Sequence, residues 1–186
     1  MERGLRDIFR ELLKVRRWEH LSSSYKESVA EHTLKMSFLC MVMLAIERRA
    51  GVHQINEAEI LGCVITHDWG EILVNDISRH QKTPEREKAE DEAFATMMSS
   101  IVPPDLLNYF QLPIDRRIDV DDLTREFWNA CEHIGYLIFA FEEYYGNGEQ
   151  DFLQVIRDEQ KVLMAFRKKF VSVDSFLVGL EQTMGF

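Results

Sequence analysis

Apolar residues recur along this chain at intervals of three and four, the spacing of one face of an α-helix. Leu5, Ile8, Phe9, Leu12 and Leu13 form the first such stripe, with Arg3, Arg6, Arg10 and Lys14 on other faces, and predict a helix ending near Lys14. A polar loop with Ser22, Ser23 and Ser24 follows. Ser28-Val-Ala-Glu31 then reads as a capping box, in which the Ser hydroxyl and the Glu carboxylate each accept from the other's backbone N–H. A second helix starts there, and His32 falls in its first turn. This helix carries the longest apolar run, Met36 to Ile46, with 10 apolar positions among 11 residues. That is short of the roughly 20 residues needed to cross a bilayer, so the expectation is a buried helix and no membrane.

The same start signals repeat downstream. Asn56-Glu-Ala-Glu59 opens a third helix whose apolar positions, Ile60, Leu61, Val64 and Ile65, run to Trp69-Gly70, placing His67 and Asp68 at its carboxyl end. Thr83-Pro84 reads as an N-cap followed by proline at the first helical position, starting a charged helix to about Ser100. Pro103-Pro104 ends it and precedes a short helix to Phe110. Asp119, Asp121 and Asp122 suit the front of a long helix with Phe127, Ala130, Cys131, Ile134, Ile138 and Phe141 as its buried stripe, until Gly146-Asn-Gly148 stops it. Two further helices, about 150–168 and 173–183, complete the chain. There is no internal repeat, no flexible linker and no hairpin signal. The predicted fold is all-α, one domain over 1–186 with about six to eight helices.

Composition narrows the function classes. Hydrophobic residues make up 46% and charged residues 29% of 186, the balance of a folded globular chain and not of a disordered or fibrous one. A formal charge of -10 excludes a general attraction to nucleic-acid polymers, although a local basic group still suffices for a single phosphate. Cys40, Cys63 and Cys131 lie in apolar stretches without CxxC spacing and read as buried thiols in a reducing compartment. The charged amino terminus has no signal-peptide core, so a cytoplasmic location is expected. Met41, Met43, Met97 and Met98 on acidic helices are compatible with a homodimer, but methionine at helical spacing is more often core.

Chemistry concentrates at a few positions. His32 and His67 each lie on an apolar helix, and Asp68 directly follows His67, giving N and O donors suited to a divalent transition metal. A hydrogen-bonded core histidine gives the same pattern, and spacing does not separate the two. Glu71 lies one turn beyond Asp68, Asp76 follows in the loop, and Glu132 sits on the long helix among apolar neighbours, where a carboxylate is costly to bury unless paired or coordinated. On its helix face it is equally consistent with a solvated carboxylate.

Ser28-Val-Ala-Glu-His32, Thr66-His-Asp-Trp-Gly-Glu71 and the following Asp76 together resemble the signature of HD-domain metal-dependent phosphohydrolases. With Arg16-Arg17-Trp18 ahead of them, the chain is similar to the bacterial 5′-deoxynucleotidase branch from about Leu5 to Tyr144. The resemblance implies one divalent metal ion (Mn, Co, Zn or Fe) held by His32, His67, Asp68 and a fourth carboxylate. Counting back from Phe141-Glu-Glu143 puts that ligand on Glu132, a glutamate where the family has aspartate, with Cys131 the alternative if the register differs by one. It further implies that Glu71 orients or deprotonates the attacking water, that Asp68 ligates while facing the phosphate, and that Arg17 grips phosphate oxygens. Trp18 would pack against the sugar and disfavour a 2′-hydroxyl, Asp76 would contact sugar and loop, and Arg79, in a stretch that departs from the family, would serve further phosphates. The expected partner is a nucleotide or other small phosphate ester, with (deoxy)nucleoside 5′-monophosphates foremost. Two other readings stand beside it: a nucleotide-binding module whose metal site is decayed or retuned at Glu132, and a di-iron oxygenase that would need His80 and His133 as extra ligands.

Overall fold

The capping box at Ser28 is formed in the computed structural model, which describes residues 4–52, 54–74, 83–109 and 120–184. Ser28 Oγ accepts from the Glu31 N–H, and the Glu31 carboxylate accepts from the Ser28 N–H at 2.8 Å. The other predicted starts are realised with the same local chemistry: Asn56 accepts from Glu59 N–H, Thr83 from Arg86 N–H with Pro84 behind it, and Asp121 from Thr124 N–H. These caps open α2 (Val29–Ala50), α3 (Glu57–Thr66), α5 (Pro84–Ile101) and α6 (Asp122–Phe141). The remaining α-helical segments are α1 (Leu5–Leu12), the single turn α4 (Glu71–Val74), α7 (Phe152–Arg167) and α8 (Val171–Met184). A 3-10 turn covers Pro104–Tyr109, and a π-helical turn, Glu142–Gly146, carries α6 to the predicted glycine stop. No strand occurs among the described residues, so the fold is all-α. One isolated antiparallel bridge, Arg16 with Ser28, ties the segment after α1 to the start of α2.

α2 is the central helix, packed by α1, α3, α6 and α8, while α6 and α7 form the most extensive helix pair. Two apolar clusters result. The larger joins Cys40 and Met43 of α2, Ile60 and Val64 of α3, Phe127, Trp128 and Ile134 of α6, and Phe152 and Phe170 beyond. The smaller joins Ile8 and Leu12 of α1 to Val29, Trp69, Phe94, Met97 and Met98. Each large side chain buried in them contributes about 1.5–3 kcal/mol from removal of apolar surface. His32 lies between Val29 of the smaller cluster and Met36 of the larger, and Asp68 stands between Trp69 of the smaller and His67, whose ring meets Trp128 of the larger at 5.1 Å, so the polar residues of interest fall on the seam between the two clusters.

Three expectations need correction. The first stripe buries only Ile8 and Leu12; Leu5, Phe9 and Leu13 are exposed, because α1 meets the bundle along a narrow line. The apolar run of α2 is not buried all round, since Leu34, Phe38 and Met41 are exposed on one face. By length and composition α2 is apolar enough to cross a membrane, with a mean hydropathy of 1.5 and 39% of its most apolar stretch buried, yet here it is the hub of the bundle. Finally, Gly70 does not mark a helix stop. α3 ends at Thr66, and a Cβ on Gly70 would stand 2.5 Å from the Glu90 carbonyl oxygen. The glycine is required by the close approach of α5, and no side chain fits there. Of the four methionines considered for an interface, Met43, Met97 and Met98 are core and Met41 is exposed.

Candidate active site

Each site residue is placed by a local device. His32 follows the capping box on the first turn of α2, and His67 is the C-cap of α3, its N–H donating to the Cys63 carbonyl. The chain then turns through Asp68–Gly70, with Glu71 N–H donating to the Asp68 carbonyl at 3.1 Å, so that α4 begins at Glu71. The bridge at Arg16 brings the fifth participant: Arg17 N–H donates to the Glu27 carbonyl at 2.8 Å, directing its side chain inward.

These elements converge on one carboxylate. Asp68 Oδ2 lies 3.2 Å from His67 Nε2 and 3.6 Å from His32 Nε2, and the Arg17 guanidinium pairs with the same oxygen. Arg17 also stands 3.9 Å from Glu71 Oε2 and 5.8 Å over the Tyr136 ring. All five side chains are buried or nearly so, Arg17 at 4% and Glu71 at 2% exposure. Ligand atoms of His32, His67 and Asp68 lie within 4.8 Å of one another, a geometry that one metal ion satisfies.

The donor chemistry fits such an ion. Both rings direct Nε2 to the common point, and each Nδ1 has its own acceptor: Val64 carbonyl for His67 at 2.9 Å, Glu27 carboxylate for His32 at 3.3 Å. A second acceptor of this kind fixes the tautomer and leaves the other nitrogen bare for metal. Burial, reinforced by the Arg17 charge, pushes His32 down to about 4, which keeps its ring neutral. Burial opposes ionisation of Asp68, but His67 and Arg17 outweigh it and hold the carboxyl well below its usual range. For His67 burial acts downward, and Asp68 more than offsets it, with Glu132 adding to the upward shift.

Glu132 therefore stands near enough to His67 to act on its charge, but it is not one of the three converging ligands. Cys131 faces the core instead: it is fully buried, and burial together with Cys40 pushes its thiol well up. Trp18 is placed with a left-handed backbone, φ 60°, a strained conformation for a bulky residue. Lys26 Nζ donates to its carbonyl at 3.2 Å, and its ring lies parallel to Phe139 at 5.4 Å and edge-on to Tyr136 at 5.7 Å. The serine loop behind it is pinned by the π-helical turn: Ser24 N–H donates to buried Glu143 at 2.7 Å. Asp76, Arg79 and His80 lie outside the described residues. His133, needed for a di-iron centre, points to α7, where Nδ1 meets Glu159 at 2.5 Å.

Sequence reasoning missed Glu27 and Lys35. Glu27 precedes the N-cap, five positions before His32, a spacing that matches no helical period; only its place beside a capping box marked it. Lys35 is 2.9 Å from the Glu27 carboxylate.

Known proteins share this arrangement of chain. A family model described as 5′-deoxynucleotidase YfbR-like matches residues 6–183. A 5′-deoxynucleotidase of Citrobacter koseri is 24% identical over 179 residues, 90% of this chain and 89% of the relative. The match to a 5′-deoxynucleotidase of Klebsiella pneumoniae, also at 24% identity, covers 106 residues, 54% of this chain and 53% of the relative's length. Among solved structures, an HD-domain phosphohydrolase from Listeria innocua superposes with a TM-score of 0.75 at 21% identity, covering 98% of this chain and 90% of that one. A cyanophage S-2L HD phosphohydrolase, bound to dA and one catalytic Zn2+ ion, gives 0.63 at 19% identity, with 95% and 94% covered. The structural likeness establishes the fold, and the family model, spanning nearly the whole chain, shows that the protein belongs to the YfbR-like 5′-deoxynucleotidase family.

Proposed function

We propose that the protein is a phosphohydrolase that uses one divalent metal ion to release phosphate from nucleoside 5′-monophosphates, with deoxy forms preferred. The observation that carries this reading is the convergence of the His32 and His67 Nε2 atoms and the Asp68 carboxylate in a buried cluster that also holds Arg17 and Glu71. His32, His67 and Asp68 would hold the ion, with Glu132 near His67 as the fourth candidate. When bound, such an ion supplies Lewis acidity toward a phosphate oxygen and lowers the pKa of water.

The chain's own residues account for the rest. Arg17, held in place by Asp68, presents a guanidinium whose paired N–H groups match two phosphate oxygens. Glu71 takes the proton of the water whose oxygen forms the new bond to phosphorus. The P–O5′ bond breaks, the nucleoside leaves with its electron pair on O5′, and O5′ takes a proton from solvent, to which Glu71 returns the one it removed. Trp18, locked against Phe139, offers the sugar an aromatic wall without a hydrogen-bond acceptor, so a 2′-hydroxyl gains nothing there. This extends to the present chain what the relatives' names and the dA-bound neighbour say of those proteins.

The test is phosphate release from ribo- and deoxynucleoside mono- and triphosphates with Mn, Co, Zn and Mg in turn. Release from deoxynucleoside monophosphates above all others is expected, and no release from any combination would overturn the reading. The position of Glu132 outside the converging triad favours a second possibility, a nucleotide-binding module. Glu132→Asp separates the two: a gain of turnover from an inactive protein marks a damaged site, and a loss from an active one marks a retuned site.

A further inference from the structure

The two histidines face opposite problems of orientation. His67 caps the C-terminal end of α3, where the last carbonyls have no helical partner, and Val64 is available to accept its Nδ1–H. His32 sits in the first turn of α2, where carbonyls are committed to the helix and only N–H groups are spare. An acceptor for its Nδ1 has to come from outside the helix. Glu27 supplies it: the residue precedes the N-cap, its side chain is 2% exposed, and Oε2 lies 3.3 Å from His32 Nδ1.

A carboxylate this buried needs partners. Oε1 of Glu27 receives Lys35 Nζ at 2.9 Å, and the same ammonium lies 3.8 Å from Glu142, anchoring it between α2 and the π-helical turn. The Glu27 backbone carbonyl meanwhile accepts the Arg17 N–H. One residue thus fixes the ring that faces Asp68 and the backbone of the arginine that pairs with it.

We infer that Glu27 is a positioning residue for the metal centre: its carboxylate, steadied by Lys35, accepts the Nδ1–H of His32 and so leaves Nε2 bare and aimed at the ion. The inference rests on the reading that His32, His67 and Asp68 hold a metal. Orienting partners of this kind set the tautomer and raise ligand basicity, and their removal typically weakens metal binding about 10–100-fold.

The metal-free protein provides the first measurement. Long-range ¹H–¹⁵N correlation spectra should show His32 protonated on Nδ1 and bare on Nε2; a proton on Nε2 overturns the proposal whether or not any variant folds. The second is a Zn2+ titration of wild type, Glu27→Gln and Glu27→Met without substrate. Glu27→Met should bind about 10–100-fold more weakly, and Glu27→Gln, which retains a neutral oxygen acceptor, should fall between it and wild type. Equal affinity in all three overturns the role of Glu27 while leaving the metal site standing. A wild type that binds no Zn2+, Mn2+ or Co2+ instead overturns the metal reading itself. Loss of melting temperature without loss of affinity marks Glu27 as merely structural and also defeats the proposal.

Discussion

Two buried histidine–carboxylate groups in this protein use the same chemistry to opposite ends. Between α6 and α7, His133 meets Glu159 through Nδ1 at 2.5 Å and lies against Phe166, a closed pair in which one donor satisfies one acceptor. On the seam between the apolar clusters, His32 and His67 direct Nε2 at a single Asp68 oxygen, while separate acceptors hold their Nδ1 atoms. The pair is complete without a ligand. In the triad two imidazole Nε2 atoms and a carboxylate share one point, an arrangement that suits a cation. Burial and residue type are alike in both; convergence distinguishes a binding centre from a packing contact.

The difference is broken most severely at the residue assigned the proton transfer. Glu71→Gln should lower kcat about 10²–10⁴-fold, the range for loss of a general base, while metal content stays at the wild-type level. Steady-state phosphate release and metal analysis together check this, and an unchanged kcat removes Glu71 from the mechanism.

Removing one histidine from each group sharpens the contrast. His67→Ala should abolish stoichiometric metal binding. His133→Ala should keep metal and turnover but lose on the order of 3 kcal/mol of stability, because Glu159 is left buried without its partner. Denaturant unfolding and metal stoichiometry on both variants decide it; a His133 variant that loses metal would show the pair to be part of the site.

The smallest effect is in the pH dependence of the metal-free protein. His32 has a folded pKa of about 4, below the ordinary 6.5, so between those values the unfolded chain binds a proton that the folded one does not. Its contribution favours folding above pH 6.5 and is lost as pH falls toward 4, at about 1.4 kcal/mol per unit. Asp68, lowered well below its usual range, loses stability in the same direction at still lower pH. His67 is raised and works the other way, favouring folding below 6.5 and losing that contribution as pH rises through its folded value. Melting curves between pH 7 and 4.5 should fall, and His32→Gln should flatten them; identical slopes would show that His32 does not titrate as described.

Much of this was legible beforehand. His32, His67, Asp68, Glu71 and Arg17, all singled out from the sequence, lie together in the fold, and the helix starts at Ser28, Asn56 and Thr83 are where capping chemistry puts them. The misses share a cause. The exposed side of α1 and of the apolar run in α2 depends on which neighbours arrive, which hydrophobic spacing does not encode. Gly70 looked like a stop signal, yet the demand on it comes from a carbonyl 20 positions away on α5. Glu27 and Lys35 were invisible because their importance lies in what they touch.

Local sequence alone determined where the helices begin and which residue types stand at their ends, because capping and turn chemistry act within about four residues. Only the tertiary structure decided that Arg17 reaches Asp68, 51 positions away, through the isolated bridge at Arg16, and that Ser24 is held by Glu143 across 119. It also decided that of two buried histidine–carboxylate groups one closes on itself and the other gathers two imidazoles at one carboxylate oxygen. Packing brings those atoms together, and the direction in which an imidazole nitrogen points is settled by its second hydrogen-bond partner, not by its position in the chain.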